Sequence, residues 1–149
     1  MLKQQIEQDL KAALLAGNKD LATTLRGLKS VILYAEVAKG VREKGLSDDE
    51  IVILLSKEAK KRQESADLYN KGASEVRAQA ELVEKAVIEK YLPSQLDDAE
   101  LRSIVDEAVS ELGATSPQAM GQVIASVKQK VGASAEGSRV ARFAKERLS

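Results

Sequence analysis

The sequence contains no cysteine and no histidine, and it is short of aromatic residues, with no tryptophan, one phenylalanine and three tyrosines. Those absences exclude disulfides, thiolate nucleophiles, Cys/His zinc sites, imidazole bases and every Ser-His triad. Proline is also scarce, at two residues in 149, so little interrupts a helix. No excess of charge of one sign exists: Lys+Arg and Asp+Glu both number 23. Global charge therefore announces neither a nucleic-acid nor a membrane partner. No long hydrophobic run is present; the longest uncharged stretch, Leu112 to Val127, carries Gly, Pro, Ser and Gln and is not a spanning helix. The first residues, Met1-Leu2-Lys3-Gln4-Gln5-Ile6-Glu7, hold no apolar signal region, and a cytoplasmic location is expected.

What is there is helix-forming. Ala, Leu, Glu, Lys and Arg make up 77 of the 149 residues, the composition of long helices packed closely through small side chains. The expected fold is all-α, a four-helix N-terminal part (1–93) with long helices and a small three-helix C-terminal domain (94–149). Periodicity supports this nearly throughout. Leu2, Ile6, Leu10, Ala13 and Leu14 share a face that ends at Gly17-Asn18. Leu21, Leu25, Leu28, Ile32 and Ala35 form the stripe of a second helix, from about Lys19 to Ala38. Lys39 to Leu46 reads as a solvated loop. Ser47-Asp48-Asp49-Glu50 has capping-box form, opening a third helix to about Asn70 with Ile51, Leu55, Ala59, Ala66 and Tyr69 inward. After a turn at Asn70-Lys71-Gly72, a fourth helix is expected to bury Val76, Ala80, Val83, Val87 and Tyr91.

Pro93 ends that helix, since the residue before proline is pushed out of the helical region. Asp97-Asp98-Ala99-Glu100 is a second capping box, starting a helix with Leu101, Ile104, Val105, Ala108 and Leu112 inward and Gly113 as its cap. Ser116-Pro117 marks the next start, with Met120, Val123, Ile124, Val127 and Val131 inward. A last helix uses Val140, Phe143, Ala144 and Leu148.

Four constellations invite a chemical reading. Gly40-Val41-Arg42-Glu43-Lys44-Gly45-Leu46-Ser47 has the glycine spacing of a phosphate loop, but Leu46 stands in place of the essential lysine and no strand precedes it. The acids at Asp48-Asp49-Glu50 and Asp97-Asp98-Glu100 could serve as magnesium ligands or an acid/base pair; first-turn acids complementing the helix dipole explain them more simply. Lys57, Lys60, Lys61, Arg62 and Lys71 are interleaved with Glu58, Glu64 and Asp67 as on a solvated face. Arg62 alone falls on the apolar stripe, where it snorkels, pairs across the bundle or serves a partner. No catalytic residue, cofactor site or metal site is identified.

The fourth constellation is a charge split. Asp97–Leu112 carries a net −5, whereas Lys128–Ser149 carries +4. A local basic cluster attracts phosphate even in a neutral chain, which makes Lys128, Lys130, Arg139, Arg142 and Lys145 the candidate RNA-binding residues. Arg139 and Arg142 lie three apart, off the Val140-Phe143 face, and are expected to project outward together. Gly137 and Ser138 leave amides at that helix start open to an anion. Without interleaved aromatics, base stacking is disfavoured and backbone recognition of a folded RNA is the compatible mode. The bland reading of the same cluster is a plain soluble face, and the rival functional class is a protein-interaction module with no nucleic-acid binding.

Several short segments also carry a resemblance: Tyr91-Leu92-Pro93-Ser94-Gln95-Leu96, Met120-Gly121-Gln122-Val123-Ile124 and Ala135-Glu136-Gly137-Ser138-Arg139-Val140, with Leu25-Arg26 and Lys61-Arg62-Gln63-Glu64-Ser65 upstream. In order and spacing the chain resembles the GatB/YqeY domain family over essentially its whole length. The resemblance implies a stand-alone two-part helical protein. Its C-terminal part would be similar to the tail domain of the glutamine-dependent aspartyl/glutamyl-tRNA amidotransferase B subunit. The implied partners are tRNA and the amidotransferase or aminoacyl-tRNA synthetase machinery. The implied activity is that of a carbon–nitrogen ligase with glutamine as amido-N-donor, or an accessory to it, although no self-contained catalytic site is visible. Two departures stand out: Glu136 where the family commonly has Asp, and Ala133-Ser134 where a glycine and a basic residue are usual.

Overall fold

The computed structural model describes residues 1–149 and is helical, with no strand. Seven α-helices follow in order: α1 (Leu2–Leu15), α2 (Lys19–Lys39), α3 (Asp48–Lys71), α4 (Glu75–Glu89), α5 (Asp98–Leu112), α6 (Met120–Val131) and α7 (Gly137–Leu148). Single 3-10 turns at Pro117–Ala119 and Gly132–Ser134 precede and follow α6. The chain divides into two compact units, Met1–Leu92 and Pro93–Ser149.

Helix ends follow local chemistry closely. Asp97 and Glu100 form the full reciprocal capping box of α5, at 2.7 and 3.0 Å. At α3 only half the expected box exists. Ser47 accepts the Glu50 N–H at 3.2 Å, but the Glu50 carboxylate turns away to Lys39 Nζ at 2.7 Å. That ion pair holds the Glu50 carboxyl below the usual glutamate range. Ser116 is extended ahead of Pro117, yet its side chain makes no cap bond and the first turn is 3-10. Gly113, at φ +61°, closes α5 with the paired 6→1 and 5→2 bonds from Ala114 and Gly113. The same pair of bonds closes α3, from Ser74 to Tyr69 and from Ala73 to Asn70, but the left-handed residue there is Ala73 at φ +58° rather than Gly72.

In the N-terminal unit the core is built from Ile6, Leu10 and Ala13 of α1, Ala22, Leu25, Leu28 and Ile32 of α2, Ile51, Leu55 and Ala59 of α3, and Ile88 of α4. Two expected core positions move. Leu14 is half exposed, and on α2 the inward residues after Ile32 are not Ala35 but the carboxylate of Glu36, which is 0% exposed. Lys3 Nζ donates to both Glu36 oxygens, at 2.9 and 3.1 Å, and the Leu46 N–H donates to Oε2 at 3.1 Å. The Lys3 bonds, with the Leu46 amide, outweigh desolvation and lower the Glu36 pKa. Gly45, at φ +80°, lets the loop close over this carboxylate; a Cβ there would stand 3.2 Å from Oε2. The loop with phosphate-loop glycine spacing thus wraps the protein's own anion.

The fourth helix is rotated relative to the sequence expectation. It buries Ala78 and Ile88 and turns Val76 (85% exposed), Ala80 and Val83 outward; Val87 and Tyr91 are half-buried. The reason lies on α3. Arg62, on that helix's apolar stripe, reaches Glu81 at 3.6 Å and Glu84 at 3.4 Å, and Lys85 Nζ donates to Gln63 at 2.8 Å. In this rotation α4 brings two carboxylates to the Arg62 guanidinium and leaves Val76 and Val83 exposed. Nearer the core, the Tyr91 hydroxyl donates to Asp9 at 2.5 Å, and burial together with that carboxylate pushes the phenol well above its ordinary range.

The C-terminal unit has its own core: Leu101, Val105, Ala108 and Val109 of α5, Val123, Val127 and Val131 of α6, Ala135, and Val140, Phe143, Ala144 and Leu148 of α7. Here the expected stripes hold, except that Val109 replaces the partly exposed Leu112. Phe143 is the largest of these side chains, and its full burial contributes on the order of 2–3 kcal/mol.

Two substitutions test this account. Ala73→Gly removes a left-handed cost of about 1–2 kcal/mol and restores about 0.5–1 kcal/mol of unfolded-chain entropy. The expected net effect is a gain of roughly 0.5–1 kcal/mol in denaturant unfolding; a loss would show that the αL residue is not strained. Lys3→Ala leaves Glu36 without its cation and should cost about 1–3 kcal/mol at neutral pH. Because the folded Glu36 pKa lies below its unfolded value, the stabilisation is complete above the unfolded pKa and disappears as pH falls through the folded one. Urea midpoints of wild type and Lys3→Ala should therefore converge as pH falls from the unfolded glutamate pKa through the lower folded one; a pH-independent gap would contradict the pairing.

Candidate nucleic-acid interface

The three helices of the C-terminal unit place opposite charges against each other. The acids sit on α5 and the bases on the end of α6 and on α7, so bringing the helices together aligns the two signs. Arg139 meets Asp98 at 2.8 Å, Arg147 meets Asp106 at 3.1 Å, Lys130 meets Glu111 at 3.0 Å, and Arg102 meets Glu146 at 3.9 Å. The first three join an α5 acid to an α6 or α7 base. The −5 and +4 segments are thus largely partners of one another.

The five candidate residues divide accordingly. Lys128 donates to the carbonyls of Gly132 and Ala135, at 3.0 and 3.1 Å, and so closes the C-terminal end of α6. Lys130 is in the Glu111 pair. Arg139 does not project outward. It is only 24% exposed, and one of its guanidinium nitrogens donates to the Leu96 carbonyl at 2.9 Å as well as to Asp98. The Arg139 bond holds the Asp98 carboxyl below the usual aspartate range, and Arg142 and Arg102 add to that field. Arg142 is exposed, without a salt bridge, its guanidinium 4.8 Å from the Phe143 ring centre. Lys145 is exposed and has no polar partner. Arg142 and Lys145 are three apart on α7 and form the cationic pair that faces solvent.

Around Arg139 the segments singled out in the sequence come together. Gln95 Nε2 donates to the Ala133 carbonyl at 2.8 Å, the Leu96 N–H donates to the Ser134 carbonyl at 2.8 Å, and Arg139 holds the Leu96 carbonyl. The 91–96 and 135–140 segments are therefore parts of one clamp between the start of the unit and the α6–α7 turn. Sequence reasoning did not find Asp98 and the Leu96 carbonyl as Arg139's partners. The opposite charges of the two segments were the signal available.

The acid clusters are occupied in the same way. Asp48 accepts the Leu2 N–H at 3.1 Å, Glu50 pairs with Lys39, Asp97 and Glu100 cap each other, and Asp98 holds Arg139. No group of three carboxylates is placed to share a metal ion. A hollow on the α5–α7 seam has a volume of about 200 Å³ and is lined by Arg102, Val105, Asp106, Phe143, Glu146 and Arg147. Its charged walls are already paired. No helix is long and apolar enough to cross a membrane.

Residues 3–148 match the sequence profile of a family described as Yqey-like protein. No curated protein matches the chain.

Arg139 is expected to act as a structural anchor. Arg139→Ala removes two charge-assisted bonds, and with Asp98 largely solvated the cost should be about 1–2 kcal/mol. Arg139→Glu places a second anion beside Asp98 and should cost more. Arg142→Ala, by contrast, should leave the thermal midpoint within about 2 °C, as an exposed substitution does. Equal effects at the two positions in thermal melts would remove the distinction drawn here.

Proposed function

The chain belongs to the YqeY-like protein family, and on that premise we propose that it is a docking protein rather than a self-contained catalyst, its C-terminal unit engaging the backbone of folded RNA. The resemblance to the amidotransferase tail points to tRNA as that RNA and to amide transfer from glutamine as the process it assists. The observation that carries the reading is the Arg142–Lys145 pair on α7, two outward cations left over when the rest of the unit's bases are consumed internally. Their spacing suits phosphates rather than base edges, and no exposed aromatic lies between them for stacking. Lys128, Lys130 and Arg139 then shape the surface, and any phosphate they meet is shared with an internal partner.

A second reading is favoured by those same internal pairs. A surface whose bases are mostly neutralised by neighbouring acids fits a protein partner, such as the amidotransferase or synthetase machinery itself, better than a polyanion.

Titration with total tRNA at several salt concentrations separates the two. Two phosphate contacts give a log–log salt slope of about −2, taking the duplex-DNA coefficient for structured RNA. Arg142→Glu with Lys145→Glu should weaken binding at least about tenfold at low salt and flatten that slope, with circular dichroism unchanged. The same reversal at Lys57 and Lys60 is the control and should do less. Absence of wild-type binding at low salt would overturn the RNA reading in favour of the protein-partner one.

A further inference from the structure

The rotation of α4 leaves Val76, Ala80 and Val83 outside the core of its unit. Val76, Ala80, Val83 and Val87 repeat at intervals of four, three and four residues, the a/d spacing of a two-helix seam. The stripe lies opposite the Ala78–Ile88 face that packs inward. Val76 is 85% and Val83 55% exposed, while Val87 is half covered by its own core. An amphipathic helix with its valines in water and its acids against a neighbouring arginine is incomplete as a monomer.

The charges beside the stripe specify what completes it. Arg77 and Glu84 border the stripe along one edge, one heptad apart. Arg77 has no carboxylate partner in its own chain, only a loose approach to the Tyr69 ring at 6.0 Å. Glu75 and Lys90, near the two ends of the helix, are exposed and have no ion-pair partner. Two copies of α4 packed antiparallel, with Val76 beside Val87 of the other copy and Ala80 beside Val83, bring Arg77 against Glu84 twice. The same register brings Glu75 of each copy within two residues of level with Lys90 of the other. A parallel pair would instead set Arg77 and Glu84 across from Gly72 and Gln79 of the other copy and pair no opposite charges. We infer that α4 is a self-association surface, on which a second copy of this chain packs antiparallel through Val76, Ala80 and Val83.

The contact is small. A 15-residue helix is about 22 Å long, and a single helix pair falls below the roughly 1,200 Å² of a standard stable interface. The dimer is therefore a weak one that populates with concentration. Sedimentation equilibrium of the full chain, from about 20 to about 500 µM, is the range in which an interface of that size is read. The mass should rise from 16.1 kDa toward twice that value. Val76→Asp with Val83→Asp should raise the dissociation constant at least about tenfold. Both valines are outward, so helicity and the thermal midpoint should be unchanged. Register is tested by charge: Arg77→Glu alone and Glu84→Arg alone should each weaken association by about threefold or more. An equimolar mixture of the two variants should recover it, because each chain then presents one sign to the other. Glu84 also serves Arg62, so the melting curve of Glu84→Arg is followed alongside, and Arg77→Glu, which touches no such pair, provides the independent reading. A chain that stays at 16.1 kDa throughout, a dimer indifferent to the valine substitutions, or a mixture that associates no better than its components would each overturn the assignment.

Discussion

The placement of charge at helix seams is the constraint from which most of this architecture follows. Alanine-rich helices pack closely but each buries little area, so apolar transfer alone sets the rotation of a helix weakly. A guanidinium or carboxylate at a seam sets it strongly, because an unpaired charge there costs more than an exposed valine. Arg62 is the clearest instance. It lies on the apolar stripe of α3, Glu81 and Glu84 face it from α4, and Val76 and Val83 of α4 face water on the other side. Glu36 acts in the same way on α2, drawing Lys3 and the Leu46 amide toward itself and closing the 40–46 loop over its head.

Features governed by local chemistry were legible in the sequence, and features governed by pairing were not. Gly113, the Asp97–Glu100 box and the stripes of α5, α6 and α7 could all be read from adjacent residues, because capping and amphipathicity act over one or two turns. The face of α4 could not. Its valine stripe is the better apolar stripe by periodicity, and the groups that face its other side lie on the partner helix, 19 to 22 residues earlier. The buried Glu36 escaped for the same reason, since its cation lies 33 residues away on another helix. Ala73 was missed more narrowly. Gly72 beside it was the natural candidate for the left-handed position, but the hydrogen-bond register of α3 places the turn one residue later.

The candidate site shows how a sequence-level charge pattern divides between folding and binding. Segregated acids and bases along a chain have two physical outlets, an external polyion or each other. In the Pro93–Ser149 unit the second outlet takes Lys130, Arg139 and Arg147, and Lys128 is taken by backbone carbonyls. The short segments that carried the family resemblance share in this, since Gln95, Leu96 and Arg139 form one internal clamp. What remains for binding is the part of the pattern with no internal use.

That residue of unused features is informative because the core of each unit is otherwise self-sufficient. A cation that pairs internally contributes to folding whether or not a partner exists, so its presence says little about function. Arg142 and Lys145 are different: neither is in an ion pair, and two like charges three residues apart on a helix repel one another slightly. Val76 and Val83 are the apolar counterpart, exposed where a polar residue would keep the helix equally stable and more soluble. Both features are small burdens on the isolated chain that an appropriate partner would relieve, an anion in one case and an apolar helix face in the other. They lie in different units, and each makes a distinct physical demand: contact with an anion at the first would be weakened by salt, contact with an apolar face at the second only at its charged edges.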